Sequence, residues 1–180
     1  MNKLKKYNIS FAGLKLGKRQ FVYELDKSFL DLFAYDDVND VHQKVTVDLD
    51  KKSNLLELHF RNEGTVNVNC DLSNEPFDLE VASDLFLVVK FGEEFNDEDD
   101  ELLILPHGEH QVNVAQYIYE LVVLSIPAKR VHPDVQNGTL HLDILDKLEE
   151  LSPKGDVDER EIVDPRWEGL KKIIITDKEK

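Results

Sequence analysis

The stretch QKVTVDLDKKSNLLELHF, residues 43–60, contains two apolar runs on either side of a polar turn. In the first run Val45, Val47 and Leu49 alternate with polar neighbours, which is the period of a half-buried strand. The polar KKSN turn follows, and LLELHF supplies a second run that can return beside the first. The stretch therefore predicts an antiparallel hairpin, from which the rest of the sheet extends.

Further strand-type runs lie next to this hairpin. RNEG at 61–64 predicts a turn, TVNVNC at 65–70 the next strand, and PFDLEVASDLFLVVKF at 76–91 a longer one. Because these connections are too short to hold a crossover helix, we expect a mainly antiparallel β-sheet meander, either an open sheet or a partial barrel. Apolar residues at helical spacing between Asn113 and Pro127 predict one of a few packed helices near the C-terminal third, so the fold class is α+β.

The length of 180 residues predicts one main domain. We expect a basic N-terminal segment at 1–20, a single α+β domain at 21–151, a mobile acidic linker at 152–163, and a C-terminal helix at 164–175 packed on the domain. Trp167 is the largest apolar residue of that helix, and we expect it to be a structural anchor. Truncating a buried Trp costs about 3–5 kcal/mol.

The charge of the chain is strongly negative and unevenly distributed. The formal net charge is −15, from 37 acidic and 22 basic residues, which argues against a general nucleic-acid binder and against DNA as a partner. The first 20 residues, by contrast, contain no acid and six basic side chains: Lys3, Lys5, Lys6, Lys15, Lys18 and Arg19. No apolar run approaches the roughly 18 residues of a membrane span, and no signal-peptide core follows the basic start. We therefore expect a cytoplasmic protein without a membrane partner.

The sequence carries no motif that is typical of catalysis or of a cofactor. A Gly-rich phosphate loop, a nucleophile elbow and a Walker-type lysine are all absent. Cys70, the only cysteine, continues the alternation of Val66 and Val68, so we expect a buried structural thiol with a raised pKa. We expect neither enzymatic activity nor a cofactor.

Two histidines and an acidic run leave a metal-dependent hydrolase open as an alternative. His107 and His110 lie in the turn HGEH, and the acidic run contains Asp97, Glu98, Asp99 and Asp100. A zinc signature needs a second close pair of ligands, and a calcium loop needs a glycine at its bend; neither is found here. We interpret the histidines as surface residues and the acidic run as a solvated loop that is able to dock a basic partner.

Three segments taken together resemble the YceD family, the large ribosomal RNA subunit accumulation proteins. They are VNCDLS at 68–73, IYELVVLSIPAKRVHPD at 118–134 and DPRWEGLKK at 164–172. Their order and spacing carry the resemblance, which extends from about Phe21 to Ile173.

The resemblance implies a function and a lost site. The family's Cys-x-x-Cys pair falls on Cys70 and Ser73, and its second cysteine cluster falls on VHPDVQNGTLHLD at 131–143, which has no cysteine. Zinc binding is therefore not expected. The implied function is that of a non-catalytic factor in large ribosomal subunit biogenesis that supports 23S rRNA accumulation.

The charge layout suggests how such a factor would bind the large-subunit precursor. The six basic residues of the N-terminal segment are the candidates for contacting rRNA phosphates. Asp97, Glu98, Asp99 and Asp100 are the candidates for contacting a basic ribosomal protein. An acidic protein-interaction module unrelated to ribosomes is a further alternative.

Overall fold

The computed structural model describes residues 3–137, together with Lys147, Glu150 and Leu151. The chain divides into two compact units, Met1–Leu145 and Asp146–Lys180, and the description below concerns the first. The expected linker at 152–163, the expected helix at 164–175 and its anchor Trp167 lie outside the described residues.

Strands dominate the described part of the chain. A 3₁₀ turn at Lys3–Tyr7 precedes the first strand, and a second 3₁₀ turn at Asp31–Phe33 follows the first helix. The strands are β1 (Asn8–Ser10), β2 (Gly17–Leu25), β3 (Asp40–Lys51), β4 (Leu55–Asn69), β5 (Pro76–Gly92), β6 (Asn96–Asp99), β7 (Leu102–Pro106) and β8 (Gln111–Asn113). The helices are α1 (Lys27–Leu30), α2 (Ala115–Leu124) and α3 (Pro133–Gln136).

The predicted hairpin lies at the centre of an open six-stranded sheet. The strand order is β2-β3-β4-β5-β7-β6, and the first four strands are antiparallel neighbours in chain order, as the meander prediction requires. Strand β7 departs from the meander because it pairs parallel to β5, and β6 then pairs antiparallel to β7 at the edge. Strands β1 and β8 form a separate two-stranded sheet.

The turn predicted at 61–64 is wrong, because β4 continues through it as one strand of 15 residues. Gly64 makes this continuation possible. Its φ is +148°, and a Cβ at this position would lie 2.1 Å from the carbonyl oxygen of His42 on β3. The RNEG sequence therefore marks a close approach of two backbones within the sheet.

Alternation along the strands buries one face of the sheet. The buried residues on the three central strands include Val45, Val47 and Leu49 on β3, Leu56, Leu58 and Phe60 on β4, and Leu87 and Val89 on β5. Each such side chain contributes roughly 1.5–3 kcal/mol on burial. Helix α2 buries Ala115, Ile118, Leu121 and Val122 and contacts β4 and β5.

A buried polar cluster ties α2 to the sheet. The Asn62 Nδ2 group donates to Gln43 Oε1 at 3.1 Å and to Ser125 Oγ at 3.4 Å. The Asn62 Oδ1 atom accepts from both the backbone N–H and the hydroxyl of Ser83, each at 2.7 Å. The carbonyl of Leu121, 3.2 Å from the Ser83 hydroxyl, is a second acceptor within reach of the same proton. These bonds fix where the helix lies on the sheet.

The basic N-terminal segment is built into the fold from Lys3 onwards. Tyr7, Ile9 and Phe11 are buried in the core, and β1 pairs with β8. The loop after β1 is held by Lys51, whose ammonium donates to the carbonyls of Phe11 at 2.8 Å and Leu14 at 2.9 Å. The lysines of this segment therefore project from a packed scaffold.

Candidate functional site

The six RNA-contact candidates fall into separate groups on the surface. Lys3, Lys5 and Lys6 lie on the first 3₁₀ turn, Lys15 lies in the loop before β2, and Lys18 and Arg19 lie on β2. All six are exposed. Lys6 places its ammonium 5.5 Å from the centroid of the Tyr7 ring. Buried residues, among them Tyr7, Ile9 and Phe11, lie between the basic residues along the chain and keep the basic groups apart.

Lys18 and Arg19 border a basin on the outer face of the sheet, which we call the outer-face basin. Its volume is about 520 Å³, and strands β2 to β5 contribute its lining. The lining residues are Lys18, Arg19, Gln20, Asp48, Leu49, Asp50, Glu57, His59 and Phe86. The ring of Phe86 is 46% exposed. Lys18 therefore shares the outward face with Phe86, from which β3 and β4 separate it, whereas Arg19 lies opposite the buried Leu49 and has the reverse parity.

The carboxylates of the outer-face basin are partly engaged by neighbours. Asp48 accepts from Gln20 Nε2 at 2.8 Å and from Arg61 Nη2 at 2.6 Å. The hydrogen bond from Gln20, followed by that from Arg61, holds the pKa of Asp48 below its usual value. His59 Nε2 lies 3.6 Å from Asp84. Hydrogen bonds within the protein, above all that from Arg61, thus partly neutralise the negative charge of Asp48.

No motif in the sequence marks Phe86 as a site residue. It lies within the apolar run DLFLVVKF, which reads as buried on both faces. The register places Phe86 opposite His59, on the outward face, while Leu87 and Val89 are buried. The position of Phe86 next to Leu87 could have identified Phe86 as outward-facing, because neighbouring residues of a strand face opposite sides.

The predicted acidic loop at 92–101 is partly a strand. Residues 96–99 form β6, which pairs with the free side of β7. Two Asx bonds shape the segment: the N–H of Glu98 donates to Asn96 Oδ1 at 3.1 Å, and the N–H of Glu101 donates to Asp99 Oδ1 at 3.0 Å. The interpretation of this run as loop alone is therefore wrong, because β7 offers an edge to which it pairs.

Three of the four acidic candidates line a groove of about 310 Å³, which we call the acidic groove. Asp97, Asp99 and Asp100 line it from the side of β6, whereas Glu98 does not. The remaining lining residues are the apolar Phe95, Leu103, Leu105 and Val112, together with Gln111, Asn113, Gln116, Tyr117 and Glu120. The groove therefore combines carboxylates with an apolar floor.

Helix α2 supplies the second side of the acidic groove. Asn113 Oδ1 accepts from the N–H of Ala115 at 3.0 Å, and Gln116 donates to Glu120 at 2.6 Å. Burial, and then the negative charges of Asp97 and Glu120, raise the pKa of Tyr117 to about 12. The negative charges of Asp97 on β6 and Glu120 on α2 thus both act on the hydroxyl of Tyr117.

Cys70 is buried, as predicted, with 2% of its surface exposed. Its Sγ accepts N–H bonds from Ser73 at 3.5 Å and from His132 at 3.3 Å. Burial raises the pKa of the thiol, but hydrogen bonds from the His132 backbone, from the side chain and backbone of Ser73 and from the Leu72 backbone outweigh burial and bring the pKa down to about 7. The expected raised pKa is therefore wrong, because the sequence does not show these hydrogen bonds.

The two regions that correspond to the family's cysteine clusters meet in space. The N–H of Arg130 donates to Asp71 Oδ2 at 2.6 Å, and the N–H of Asp71 donates to the Arg130 carbonyl at 2.8 Å. A zinc site does not fit the residues present. Ser73 replaces a thiolate, and Nδ1 of His132 already accepts from the N–H of Asp134 at 3.1 Å. Within 3–137 no three His, Cys, Asp or Glu side chains are grouped to hold a metal ion.

His107 and His110 lie at the turn after β7, where both are exposed. The described residues do not group them with the acids of β6 as metal ligands. Trp167 is outside the part of the chain that the structure describes, so its role as an anchor stays a prediction. Among the described residues no helix is long and apolar enough to cross a membrane.

The comparisons with known proteins give one match. A family model described as large ribosomal RNA subunit accumulation protein YceD matches residues 58–174, which is more than half of the chain. The match begins within β4, later than the Phe21 at which the resemblance was expected to start. No curated protein and no solved structure matches the chain.

Proposed function

The chain belongs to the YceD family of large ribosomal RNA subunit accumulation proteins, and we propose that it is a non-catalytic factor that supports 23S rRNA accumulation. The observation that carries this proposal is the family match over residues 58–174. The protein would act in the cytoplasm, where large-subunit precursors assemble, by binding rRNA, a basic ribosomal protein or both.

The RNA contact is assigned to the outer-face basin. Lys18 and Arg19 supply cations for phosphates, and the exposed ring of Phe86 supplies a face on which a base can stack. Base stacking on an aromatic side chain is worth about 1–3 kcal/mol. Basic side chains and an accessible aromatic ring that line the same basin are the features that support this assignment.

The net charge of the protein limits the strength of this contact. The chain carries −15, and its acidic surfaces repel RNA over a Debye length of about 8 Å at physiological salt. Within the basin, Arg61 and Lys52 partly offset the charges of Asp48 and Glu57 by binding their carboxylates. Asp50 is a third acid of the lining. We therefore expect modest affinity for naked rRNA, with more binding energy coming from an additional protein contact.

The test is a pair of charge-matched variants. One variant combines Lys18→Ala, Arg19→Ala and Phe86→Ala; the control combines Lys44→Ala and Lys129→Ala, which removes the same two positive charges from exposed positions. Binding to a single-stranded 23S rRNA fragment is measured as a function of salt. Each phosphate contact contributes about −0.7 to the log–log slope, so the basin variant should reduce the slope by about 1.4.

In cells that lack the endogenous protein, the basin variant should fail to restore the 23S to 16S rRNA ratio, whereas the control variant should restore it. Equal loss by both variants would show that only bulk charge matters, and it would remove the basin from the proposal. If the wild type itself neither restores the ratio nor sediments with large-subunit precursors, the proposed function is wrong.

A further inference from the structure

The acidic groove has two properties that a solvated acidic surface does not have. Its floor is apolar, since Leu103 and Leu105 are buried at its base and Tyr117 is half-buried. At its rim Phe95 is 57% exposed, although it is one of the largest apolar side chains of the unit. An exposed aromatic at the rim of a concave apolar surface is typical of a place where a partner inserts a side chain.

The charges around this groove are of one sign. Asp97, Asp99 and Asp100 lie on the side of β6, and Glu120 lies on the side of α2. No Lys or Arg is among the lining residues that the structure describes. Glu120 accepts from Gln116 and the three aspartates stay exposed, so the negative potential faces the opening of the groove. Such a potential favours a cationic partner and disfavours RNA.

We propose that the acidic groove binds an extended Lys/Arg-rich protein segment that inserts an apolar side chain between Phe95 and Tyr117. This inference rests on the proposed function. It names the class of protein partner and assigns the contact with that partner to the acidic groove. The aspartates of β6 would pair with the basic side chains, and the floor would take the apolar one.

Recognition at this groove would use side chains, not extension of the sheet. Strand β6 is at the edge of the sheet, a position where partners often add a strand. However, within β6 the backbone N–H of Glu98 already donates to the side chain of Asn96. If side chains recognise the partner, its binding depends on which acids point into the groove. Substitutions of single acids therefore test the proposal.

The probe is a labelled peptide of about a dozen residues that is rich in Lys and Arg and carries two Leu residues. A second peptide has the same charge with both Leu residues replaced by Ser. Binding to the full chain is followed by fluorescence anisotropy. The Leu peptide should bind more tightly than the Ser peptide, by roughly tenfold for a buried apolar anchor. Equal affinities would mean that charge alone attracts the peptide, and the inference would be overturned.

The first pair of variants tests the carboxylates at constant net charge. The groove variant combines Asp97→Asn, Asp99→Asn and Asp100→Asn, and its control combines Glu24→Gln, Asp36→Asn and Glu80→Gln, which are exposed acids elsewhere in the same unit. At about 0.2–1 kcal/mol for each exposed pair, the groove variant should lose about threefold or more in affinity while the control changes less than about twofold. A comparable loss in the control would overturn the inference.

A sharper comparison uses two neighbours in sequence. Asp97 lines the groove and Glu98 does not, so Asp97→Asn should weaken peptide binding and Glu98→Gln should not. Phe95→Ser should lower the affinity for the Leu peptide by about tenfold and hardly affect the Ser peptide. Because Phe95 is exposed, thermal unfolding should confirm that this variant stays folded. If Glu98→Gln acts as strongly as Asp97→Asn, the inference is overturned.

Failure of this inference and failure of the proposed function give different results. If the groove variant binds the peptide as well as the wild type does but the protein still sediments with large-subunit precursors, the groove proposal falls and the proposed function stands. If a labelled single-stranded RNA binds the wild type and the groove variant loses that binding, the groove is a nucleic-acid site and the inference is overturned. Loss of peptide binding and of sedimentation in the groove variant alone supports both.

Discussion

The backbone N–H of His132 donates a hydrogen bond to Sγ of Cys70 across 3.3 Å. This contact joins the residue that follows strand β4 to the segment that precedes helix α3. The N–H of Ser73 donates to the same sulfur at 3.5 Å. Two amide dipoles therefore favour a thiolate at a position where the sequence offers a single cysteine.

These hydrogen bonds predict a pH-dependent stability. The pKa of Cys70 is about 7 in the folded protein, below the value near 9 of an unperturbed thiol, so between these values the unfolded chain binds more protons and stability rises with pH. The contribution of the Cys70 thiolate to the free energy of unfolding is complete above about pH 9 and is lost as the pH falls through about 7. A pKa difference of about two units corresponds to about 2–3 kcal/mol.

Urea unfolding of the wild type and of Cys70→Ala at pH 6 and pH 9 measures this term. The stability difference between the two proteins should change by about 2 kcal/mol between these pH values in favour of the wild type. Parallel pH profiles would show that the two N–H bonds do not favour the thiolate.

Gly64 should resist substitution although it lies inside a strand. An added Cβ would lie 2.1 Å from the His42 carbonyl oxygen, and the φ of +148° is strained for any L side chain. We expect Gly64→Ala to destabilise the protein by at least about 2 kcal/mol. Gly108→Ala is the control, since its Cβ would meet no atom of the described residues within 4 Å. Equal melting temperatures for the two variants would contradict the close approach of β3 and β4.

Asn62 and Gln43 should respond differently to the loss of their amides. Asn62 joins Gln43, Ser83 and Ser125, so Asn62→Ala leaves buried groups without partners and should cost about 1–3 kcal/mol. Gln43 Nε2 has no hydrogen-bond partner among the described residues. Gln43→Met should therefore cost less than Asn62→Ala, as measured by denaturant unfolding. The opposite order would mean that Gln43 Nε2 has a partner.

The basic segment should be tested by substitution, because truncation removes core residues. Deleting residues 1–11 removes Tyr7, Ile9 and Phe11, each of which is buried, and loss of a large buried side chain costs about 2–5 kcal/mol. Neutralising Lys3, Lys5 and Lys6 to Gln changes exposed positions and should alter stability by no more than about 0.5 kcal/mol each. If circular dichroism shows that the deleted protein melts like the wild type, this end does not contribute to the core.

Period-two alternation determined the centre of the fold from the sequence. Val45, Val47 and Leu49 predict the buried face of β3, and short connections predict antiparallel neighbours, because both properties are local. The burial of Cys70 followed from the same alternation with Val66 and Val68, and the helix before Pro127 followed from its apolar spacing. The family resemblance rested likewise on short segments in a fixed order, and the family match confirms it.

Properties that depend on two distant segments needed the tertiary structure. The pKa of Cys70 depends on the N–H of His132, 62 positions away, and the acidic groove depends on β6 meeting α2. Phe86 became accessible through its register opposite His59, and β7 joined β5 in parallel. Sequence patterns report which side chains avoid water, but they carry no information about which segments pack against one another. The chain therefore specified its strands and its core by itself, while tertiary packing alone decided how its charged residues are grouped.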